Sequence, residues 1–393
     1  MRRRLALLAV VSLAALAAAD LWLGGRIADG VFRGLPVPPL GVLDAQTRAS
    51  LERRVARARR GLPPPPRALL RFSPRYGWVN HPGREEVGGS PVTIDADGAR
   101  SWGEGAAAPS PDGPWILCFG ESFTFGSEVR DGEDWPALLR ALEPSWNVRN
   151  YGVGAWGTDQ ALLRFREIAP ERRPDVVVLG FLVENVGRNV NRYRQLYQAK
   201  DAGVLVKPRF RLEGDALVLV PVPYATELEV WEAALDGSLR EALGADEWWV
   251  GDDPLLPFSS LSRIWSARRA FARRRPWNMW SHTDEEPVQL SLALLEAFHR
   301  EALALGARAA PILVFQSEPE HDHVRAHGDR PFWTVLHDEL DRRGIPYLDT
   351  YPTMEARLRV GEPTYLRTHH SPEANRAIAE LLHAWLLETV PDL

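Results

Sequence analysis

One stretch of the sequence, Trp115–Val129, limits the fold more than any other. It reads W-I-L-C-F-G-E-S-F-T-F-G-S-E-V, so that an apolar run, Ile116–Phe119, leads into a serine between two glycines. Such a run is typical of a strand buried in a parallel sheet. Ser122 is therefore predicted at the carboxyl end of a strand, the edge where open α/β sheets bind ligands. Two interpretations stay open here: a nucleophile on a tight turn, or the N-cap of a helix.

The same alternation of strand and helix patterns recurs along the chain. Further strands are predicted over Val148–Tyr151, Asp175–Leu179, Pro311–Phe315 and Ile345–Leu348. Helices are predicted over Trp135–Leu142, Asp159–Ile168, Val288–Leu305 and Phe332–Arg343, and from Ser371-Pro372 to about Leu387. Successive βα units imply a parallel sheet with right-handed crossovers.

Composition and missing motifs exclude several classes of function. The 393 residues are 45% hydrophobic and 25% charged, and the net charge of −5 gives no electrostatic reason to expect a nucleic-acid partner. Cys118 is the only cysteine, which excludes an intramolecular disulfide and a cysteine-based zinc site. The sequence contains neither a phosphate-binding G-x-x-x-x-G-K-[ST] loop nor an H-E-x-x-H helix. His321 and His323 are compatible with a metal site, but a polar loop is the commoner explanation. We predict no metal and no cofactor.

The amino-terminal segment predicts export. A positively charged stretch, Met1–Arg4, precedes an apolar run, Leu5–Ala19, whose last alanines fit a cleavage site. Leu21–Leu23 would lengthen the run into a signal anchor. We therefore expect a signal peptide or signal anchor over residues 1–25 and a periplasmic or cell-envelope location, with anchoring to the membrane left open.

The rest of the chain divides into a spacer and one large domain. Residues 26–70 are rich in proline and arginine and include a predicted helix, Gln46–Arg60, so we interpret them as a stalk. Residues 71–393 form the predicted main domain, which opens with a small β lead-in. An insertion at about 191–287 interrupts it, with a β-hairpin signal inside Pro208–Pro221. The insertion is expected to be a lid or substrate-side subdomain. Its tryptophans favour either sugar stacking or core packing; they are Trp231, Trp248, Trp249, Trp265, Trp277 and Trp280.

Four sequence blocks together resemble the SGNH/GDSL hydrolases. The blocks are Gly120–Gly126, Asn150–Gln160, Gly180–Asn185 and His369–Glu373, in the family's order. The leader and the insertion are most similar to the exported bacterial members, which adjoin alginate O-acetyltransferase-like proteins. The resemblance implies a three-layer α/β/α sandwich with a central parallel sheet of the flavodoxin type.

The resemblance also implies roles for individual residues. Ser122 matches the nucleophile, and its backbone N–H contributes to the oxyanion hole. Ala155 stands where the family usually has the glycine that gives a second N–H, and Asn185 matches the asparagine that completes the hole. His369 is the best match for the base, and His370 is the alternative. A neutral imidazole suits this role, because it can take the proton of a serine hydroxyl near neutral pH.

The chain departs from the family pattern at the triad acid. The family's aspartate lies three residues before the histidine, where this chain has Leu366, or Arg367 if His370 is the base. A backbone carbonyl could orient the ring in its place, or Asp349 could substitute from elsewhere in the chain. Catalysis without an acid is expected to be weaker.

Three further departures lie beside the proposed site residues. Glu121 replaces the usual aspartate before the serine, Ala155 replaces glycine, and Val186 stands where an aspartate commonly follows the asparagine. Together with the missing acid, they leave room for an impaired or non-hydrolytic member of the family.

These observations predict a serine-dependent esterase. We expect it to hydrolyse O-acyl groups, borne by a small molecule, an envelope glycan or a lipid, through a Ser122–His369 acyl-enzyme mechanism. One alternative is an O-acetyltransferase for a cell-envelope polysaccharide, since transfer uses the same acyl-enzyme. Another is a non-catalytic carbohydrate-binding or scaffold protein on the same fold.

Overall fold

The structure is a computed structural model that describes residues 2–27, 31–33, 35–37, 45–62, 69–87, 89–106, 108–198, 204–248, 258–328 and 330–393. Pro38, Pro39 and Pro63–Pro66 of the predicted stalk, together with Trp249, lie outside the described residues. The chain divides into two compact units. The larger unit comprises residues 65–190, 207–222 and 279–393, and the smaller unit comprises residues 1–64, 191–206 and 223–278.

The described strands are β1 (Val31–Phe32), β2 (Leu35–Pro36), β3 (Leu70–Ser73), β4 (Gly77–Asn80), β5 (Gly83–Val87), β6 (Ser90–Ile94), β7 (Trp115–Phe119), β8 (Asn147–Asn150), β9 (Val176–Leu182), β10 (Arg209–Glu213), β11 (Ala216–Val220), β12 (Ile312–Phe315) and β13 (Tyr347–Asp349). The described helices are α1 (Arg2–Gly24), α2 (Ala45–Arg59), α3 (Ser122–Phe125), α4 (Trp135–Leu142), α5 (Thr158–Arg172), α6 (Asn185–Arg188), α7 (Arg194–Tyr197), α8 (Glu227–Asp236), α9 (Leu239–Ala242), α10 (Ser260–Arg273), α11 (Pro276–Met279), α12 (Glu286–Ala304), α13 (Glu318–Ala326), α14 (Thr334–Arg342), α15 (Tyr351–Arg359) and α16 (Pro372–Thr389).

A five-stranded parallel sheet forms the centre of the larger unit. Its strand order is β13-β12-β9-β7-β8, and all four pairings are parallel. This is the flavodoxin-type order, in which the chain changes direction across the sheet between β7 and β9. All seven residues of β9 are buried, as expected for a strand covered on both faces. The predicted α/β/α sandwich with a central parallel sheet is confirmed.

Helices cover both faces of this sheet because alternate residues of each strand point to opposite sides. Ile116 and Cys118 of β7 belong to the core cluster that α4 and α16 complete on one face. Phe119 points to the other face, where its ring contacts Phe165 of α5 and Phe298 of α12 at centroid distances of 5.8 and 5.9 Å. Because these strands are parallel, the loops that follow β7, β8 and β9 meet at one edge of the sheet.

Two β-hairpins precede the sheet, as the lead-in pattern predicted. The pairs β3–β4 and β5–β6 are antiparallel, and Arg100, just after the second hairpin, bridges to Asn150 at the end of β8. The Arg100 side chain is fully buried and pairs with Asp134. Its guanidinium donates to the carbonyls of Phe125, Gly126 and Val129. The lead-in thus holds the segment that follows α3.

The smaller unit differs from the predicted stalk and insertion. Helix α2 of the predicted stalk packs on α8, and Arg59 pairs with Glu232 at 2.7 Å. The predicted insertion is divided, because its hairpin β10–β11 belongs to the larger unit and packs on α5 and α12. Two ion pairs hold that hairpin: Lys207 with Asp159, which is buried, and Arg209 with Glu286, in which the glutamate is partly exposed. Proline content suggested a spacer, whereas the partner of α2 lies far away in sequence.

The amino-terminal helix α1 also belongs to the smaller unit, where it packs against α10. Within the part of the chain that the structure describes, no helix combines the length and the apolar character needed to cross a membrane.

Candidate active site

The serine lies in a sharp turn between β7 and α3. Gly120 has φ 154°, and a Cβ there would lie 2.9 Å from the carbonyl oxygen of Gly180. A side chain at position 120 would therefore clash with β9, so glycine is required. The turn places Ser122 at the first position of α3, with 7% of its surface exposed.

His369 reaches this serine from the loop before α16. The distance from Ser122 Oγ to His369 Nε2 is 2.8 Å. The loop is closed on itself, since the backbone N–H of Leu366 donates to the carbonyl of His369 and Ser371 N donates to Thr364 O. The ring of Phe123 lies against the imidazole at a centroid distance of 5.0 Å. The predicted serine–histidine pair is thus within hydrogen-bonding distance.

An acid that the sequence patterns did not indicate completes the relay. Oε1 of Glu128 lies 3.2 Å from His369 Nδ1. Thr368 Oγ1 donates to the same oxygen at 2.8 Å, and the backbone N–H groups of Arg367 and Thr368 donate to Oε2 at 2.9 and 3.2 Å. Burial alone would raise the pKa of Glu128, but hydrogen bonds from Thr368 and His369 outweigh it and bring the pKa to about 2. Glu128 is therefore ionised at neutral pH, as an imidazolium partner must be.

The backbone of Glu128 is strained. Its φ of 73° lies in the left-handed region, which costs a non-glycine residue about 1–2 kcal/mol. Gly126 also has a left-handed φ of 77°, and Ser90 Oγ donates to the Glu128 carbonyl at 3.1 Å. Strain of this kind persists where surrounding contacts enforce it, and it concentrates at functional sites.

The base is poised in its neutral form. Burial lowers the pKa of His369 below its ordinary value, and the Glu128 carboxylate acts in the opposite direction. Neutral imidazole accepts at one nitrogen and donates at the other. With Nδ1–H donated to Glu128 Oε1 at 3.2 Å and to Thr368 Oγ1 at 2.9 Å, Nε2 is left to accept the serine proton.

His370, the alternative base, is not brought to the serine. It is 2% exposed, and its ring packs among Phe123, Phe315 and Tyr365 at centroid distances of 4.8, 5.8 and 5.2 Å. Burial lowers its pKa to about 3, so the ring is neutral. His370 thus lies in the core beneath the site.

Asp349, the alternative acid, is also remote from the relay. Its carboxylate accepts from Gln316 Nε2 at 2.8 Å and from Trp333 Nε1 at 3.1 Å, and it lies 3.1 Å from His337 Nε2. It serves another loop at the carboxyl end of β12 and β13. The hypothesis that Asp349 substitutes for the missing aspartate is wrong in this structure. The acid beside His369 is Glu128.

The loops after β8 and β9 carry the other predicted site residues. Ala155 has φ 64°, a conformation that suits the glycine found at this position in the family that the motifs resemble. Among the described residues, neither the Ala155 N–H nor the Ser122 N–H donates a hydrogen bond. Both donors are thus free for another acceptor.

Asn185 begins α6 and is 1% exposed. Its Nδ2 donates to Glu121 Oε2 at 3.2 Å and lies 3.5 Å from Thr158 Oγ1. An amide nitrogen carries two hydrogens, and here they go to Glu121 and Thr158. The bond to Thr158 is at the long limit, so a ligand oxygen can replace Thr158 as the acceptor of the second N–H. Burial raises the pKa of Glu121 to about 7, against the opposing influence of Arg188. Glu121, which stands where the family usually has an aspartate, therefore positions the side chain of Asn185 rather than that of the serine.

Other sequence hypotheses concern metals and sugars. His321, which suggested a metal site, is buried, and its Nδ1 lies 2.9 Å from Glu355 Oε2. Its imidazole is therefore paired with a carboxylate. Among the described residues, no three potential ligands lie together as a metal site. Trp231, Trp248 and Trp280 are buried, which supports packing over sugar contact for these three.

Comparisons with known proteins find matches among solved structures. No protein-family model and no curated protein matches the chain. Among solved structures, it is similar to a lipolytic protein of the G-D-S-L family from Veillonella parvula, with 14% identity over 71% of this chain and 99% of that one, at a TM-score of 0.35. It is also similar to the acetyl xylan esterase AlAXEase, with 12% identity over 69% of this chain and 99% of that one, at a TM-score of 0.36. A catalytic mutant of Axe2, an acetylxylan esterase from Geobacillus stearothermophilus, shows 14% identity over 72% of this chain and 96% of that one, at a TM-score of 0.35. Identities this low do not transfer an activity, which has to follow from the side chains.

Proposed function

We propose that the chain is a serine-dependent ester hydrolase with a Ser122–His369–Glu128 triad. One observation carries this proposal: Ser122 Oγ, His369 and Glu128 form a continuous relay with distances of 2.8 and 3.2 Å. A nucleophile, a base and an acid that orients the base are the arrangement by which a serine hydroxyl becomes reactive.

The geometry assigns each step to an atom. His369 Nε2 takes the proton of Ser122 Oγ as this oxygen attacks the carbonyl carbon of the ester. Glu128 stabilises the imidazolium that forms, without taking its proton. The imidazolium then gives the proton to the alkoxide leaving group, which leaves an acyl group on the serine. Water, deprotonated by the same nitrogen, attacks the acyl-enzyme; the bond to Ser122 Oγ then breaks, Oγ takes the proton back from the imidazolium, and the carboxylic acid is released.

Three donors are available for the oxyanion of each tetrahedral intermediate. They are the backbone N–H groups of Ser122 and Ala155 and the amide of Asn185, which exchanges its 3.5 Å contact with Thr158 Oγ1 for the oxyanion. A donor of this type is worth about 3 kcal/mol in the transition state. Glu121 contributes indirectly, because its bond to Asn185 orients the amide.

The substrate class is proposed more coarsely. We propose O-acyl esters of a small molecule, a glycan or a lipid as substrates. Two of the similar solved structures are named as acetyl xylan esterases, which is consistent with this class. The charged N-terminal segment followed by an apolar run supports export to the cell envelope.

A hydrolysis assay tests this function. Release of p-nitrophenol from short-chain p-nitrophenyl esters is measured for wild type, Ser122→Ala, His369→Ala and Asn185→Ala. We expect turnover by wild type, losses of at least about 10³-fold for the serine and histidine variants, and a loss of about 10²-fold for Asn185→Ala.

A matched control uses the neighbouring histidine. His370→Phe keeps a ring in the aromatic core and removes only a neutral imidazole, so we expect kcat/KM to stay within about tenfold of wild type. Equal loss in His370→Phe and His369→Ala, with both proteins folded, would contradict the assignment of the base. Acyl transfer to an added sugar without release of free acid would favour a transferase instead.

A further inference from the structure

The smaller unit carries an extended apolar surface on α1. Large side chains exposed there are Leu8, Val10, Val11, Leu13, Leu16, Leu21 and Trp22. Residues 10–19 are all exposed, so apolar groups lie on every side of this part of the helix. A helix that is apolar all round is normally found in a protein core or in lipid.

Helix α10 extends this surface with a separate sequence segment. Its inner face, Ile264 and Ala267, is buried against Val37. On its outer face Leu261 and Trp265 are 46% and 51% exposed, and Phe258 just before the helix is 82% exposed. Residues 261 and 265 are one helical turn apart and share that face.

The two helices are joined at their ends. The carboxylate of Asp20 on α1 accepts from Ser259 Oγ at 2.7 Å and from the backbone N–H groups of Ser260 and Leu261 at 3.1 and 2.7 Å. The hydrogen bond from Leu261 is the main reason that the pKa of Asp20 is lowered. A carboxylate on the first N–H groups of a helix also interacts favourably with its dipole. The outer face of α10 is therefore held at the carboxyl end of α1.

Arginines accompany both exposed tryptophans. The guanidinium of Arg26 lies 4.7 Å from the ring centroid of Trp22, and that of Arg269 lies 5.4 Å from Trp265. Arg268, next to Arg269 on α10, is also exposed. Tryptophan prefers the boundary between acyl chains and headgroups, and arginine extends from there to phosphate groups.

We propose that α1 and the outer face of α10, with Phe258, form one surface that docks on a phospholipid bilayer containing anionic headgroups. A bilayer can cover the exposed apolar side chains on every side of residues 10–19 together with the outer face of α10. The arginines at the tryptophans complement the negative charge of the headgroups, and each basic residue near such a surface strengthens binding.

Site-specific fluorescence tests this docking. Leu261→Cys and Trp265→Cys in the full chain are labelled with an environment-sensitive dye; Val360→Cys, whose native valine is 73% exposed in the larger unit, is the matched control. Cys118 is buried and its thiol pKa is raised, so it should not react. Vesicles of phosphatidylcholine with phosphatidylglycerol should shift the emission at positions 261 and 265 to the blue, spin-labelled lipid should quench it, and position 360 should not respond.

A second variant tests the charge argument. Arg268→Gln with Arg269→Gln should reduce the preference for phosphatidylglycerol vesicles over pure phosphatidylcholine by up to roughly 30-fold, because two basic contacts are lost. Failure of the full chain to float with either vesicle would overturn the proposal. Flotation would overturn it as well if the dye at positions 261 and 265 kept its emission in water and was not quenched by spin-labelled lipid. Dimerisation without lipid that Trp265→Glu abolishes would identify a protein interface in its place.

Discussion

At the scale of single residues, Glu128 decides how the site works. The resemblance directed attention to the position three residues before the histidine, where an aspartate is absent. The acid instead follows the nucleophile closely in sequence, and it reaches His369 because its backbone adopts a left-handed conformation. A sequence pattern does not reveal that conformation in a glutamate, so the sequence does not predict Glu128 as the acid.

Removal of this charge should impair catalysis with little change in fold. Glu128→Gln keeps the size of the side chain but no longer stabilises the imidazolium and permits the wrong tautomer. We expect kcat/KM to fall by about 10²–10⁴-fold, as for other triad acids. Glu373→Gln, an exposed position on α16, is the matched control and should retain wild-type kinetics. Wild-type activity in Glu128→Gln would show that Glu128 is not the acid.

The pH profile provides an independent check on the same pair. The base must be neutral, so activity should fall as the pH drops through the pKa of His369. Because burial lowers that pKa, the acid limb of kcat/KM should have its midpoint below about 6.5. In Glu128→Gln the midpoint should move further down, since the carboxylate stabilises the imidazolium. An upward movement would mean that another group controls the limb.

At the scale of elements, the loop that carries Glu128 is held from below by Arg100. The three carbonyls that accept from its guanidinium lie in residues 125–129, and its charge is balanced by buried Asp134. The five strands of the sheet were predicted to within about three residues, because apolar runs specify buried parallel strands. The loop depends on a contact with the lead-in, which periodicity does not reveal.

Substitution of this arginine should therefore affect both stability and activity. Arg100→Lys keeps the charge but loses the planar fork that contacts several carbonyls at once. We expect the free energy of unfolding to fall by about 2–4 kcal/mol and kcat/KM to fall as the loop relaxes. Urea unfolding and ester kinetics measure the two effects, and Arg84→Lys on exposed β5 is the control. Unchanged unfolding would show that Arg100 does not hold the loop.

At the scale of the whole molecule, sequence reasoning succeeded where local patterns specify structure. The sheet follows from apolar runs, the serine turn from a motif at the end of β7, and the loop of His369 from a motif at the start of α16. The smaller unit could not be predicted from local patterns, because α2 and α8 pack together although they are far apart in the sequence. Proline content favoured a spacer there instead. The division of the predicted insertion has the same cause.

In the proposed mechanism, Ser122 is a nucleophile activated by His369 and Glu128. The most direct measurement is the rate of covalent labelling by a fluorophosphonate, followed by intact mass and peptide mapping, since this needs no knowledge of the natural ester. We expect a single adduct on Ser122, none in Ser122→Ala, and labelling slowed by about 10²-fold or more in Glu128→Gln. No adduct in folded wild type, or an adduct on another residue, would contradict it.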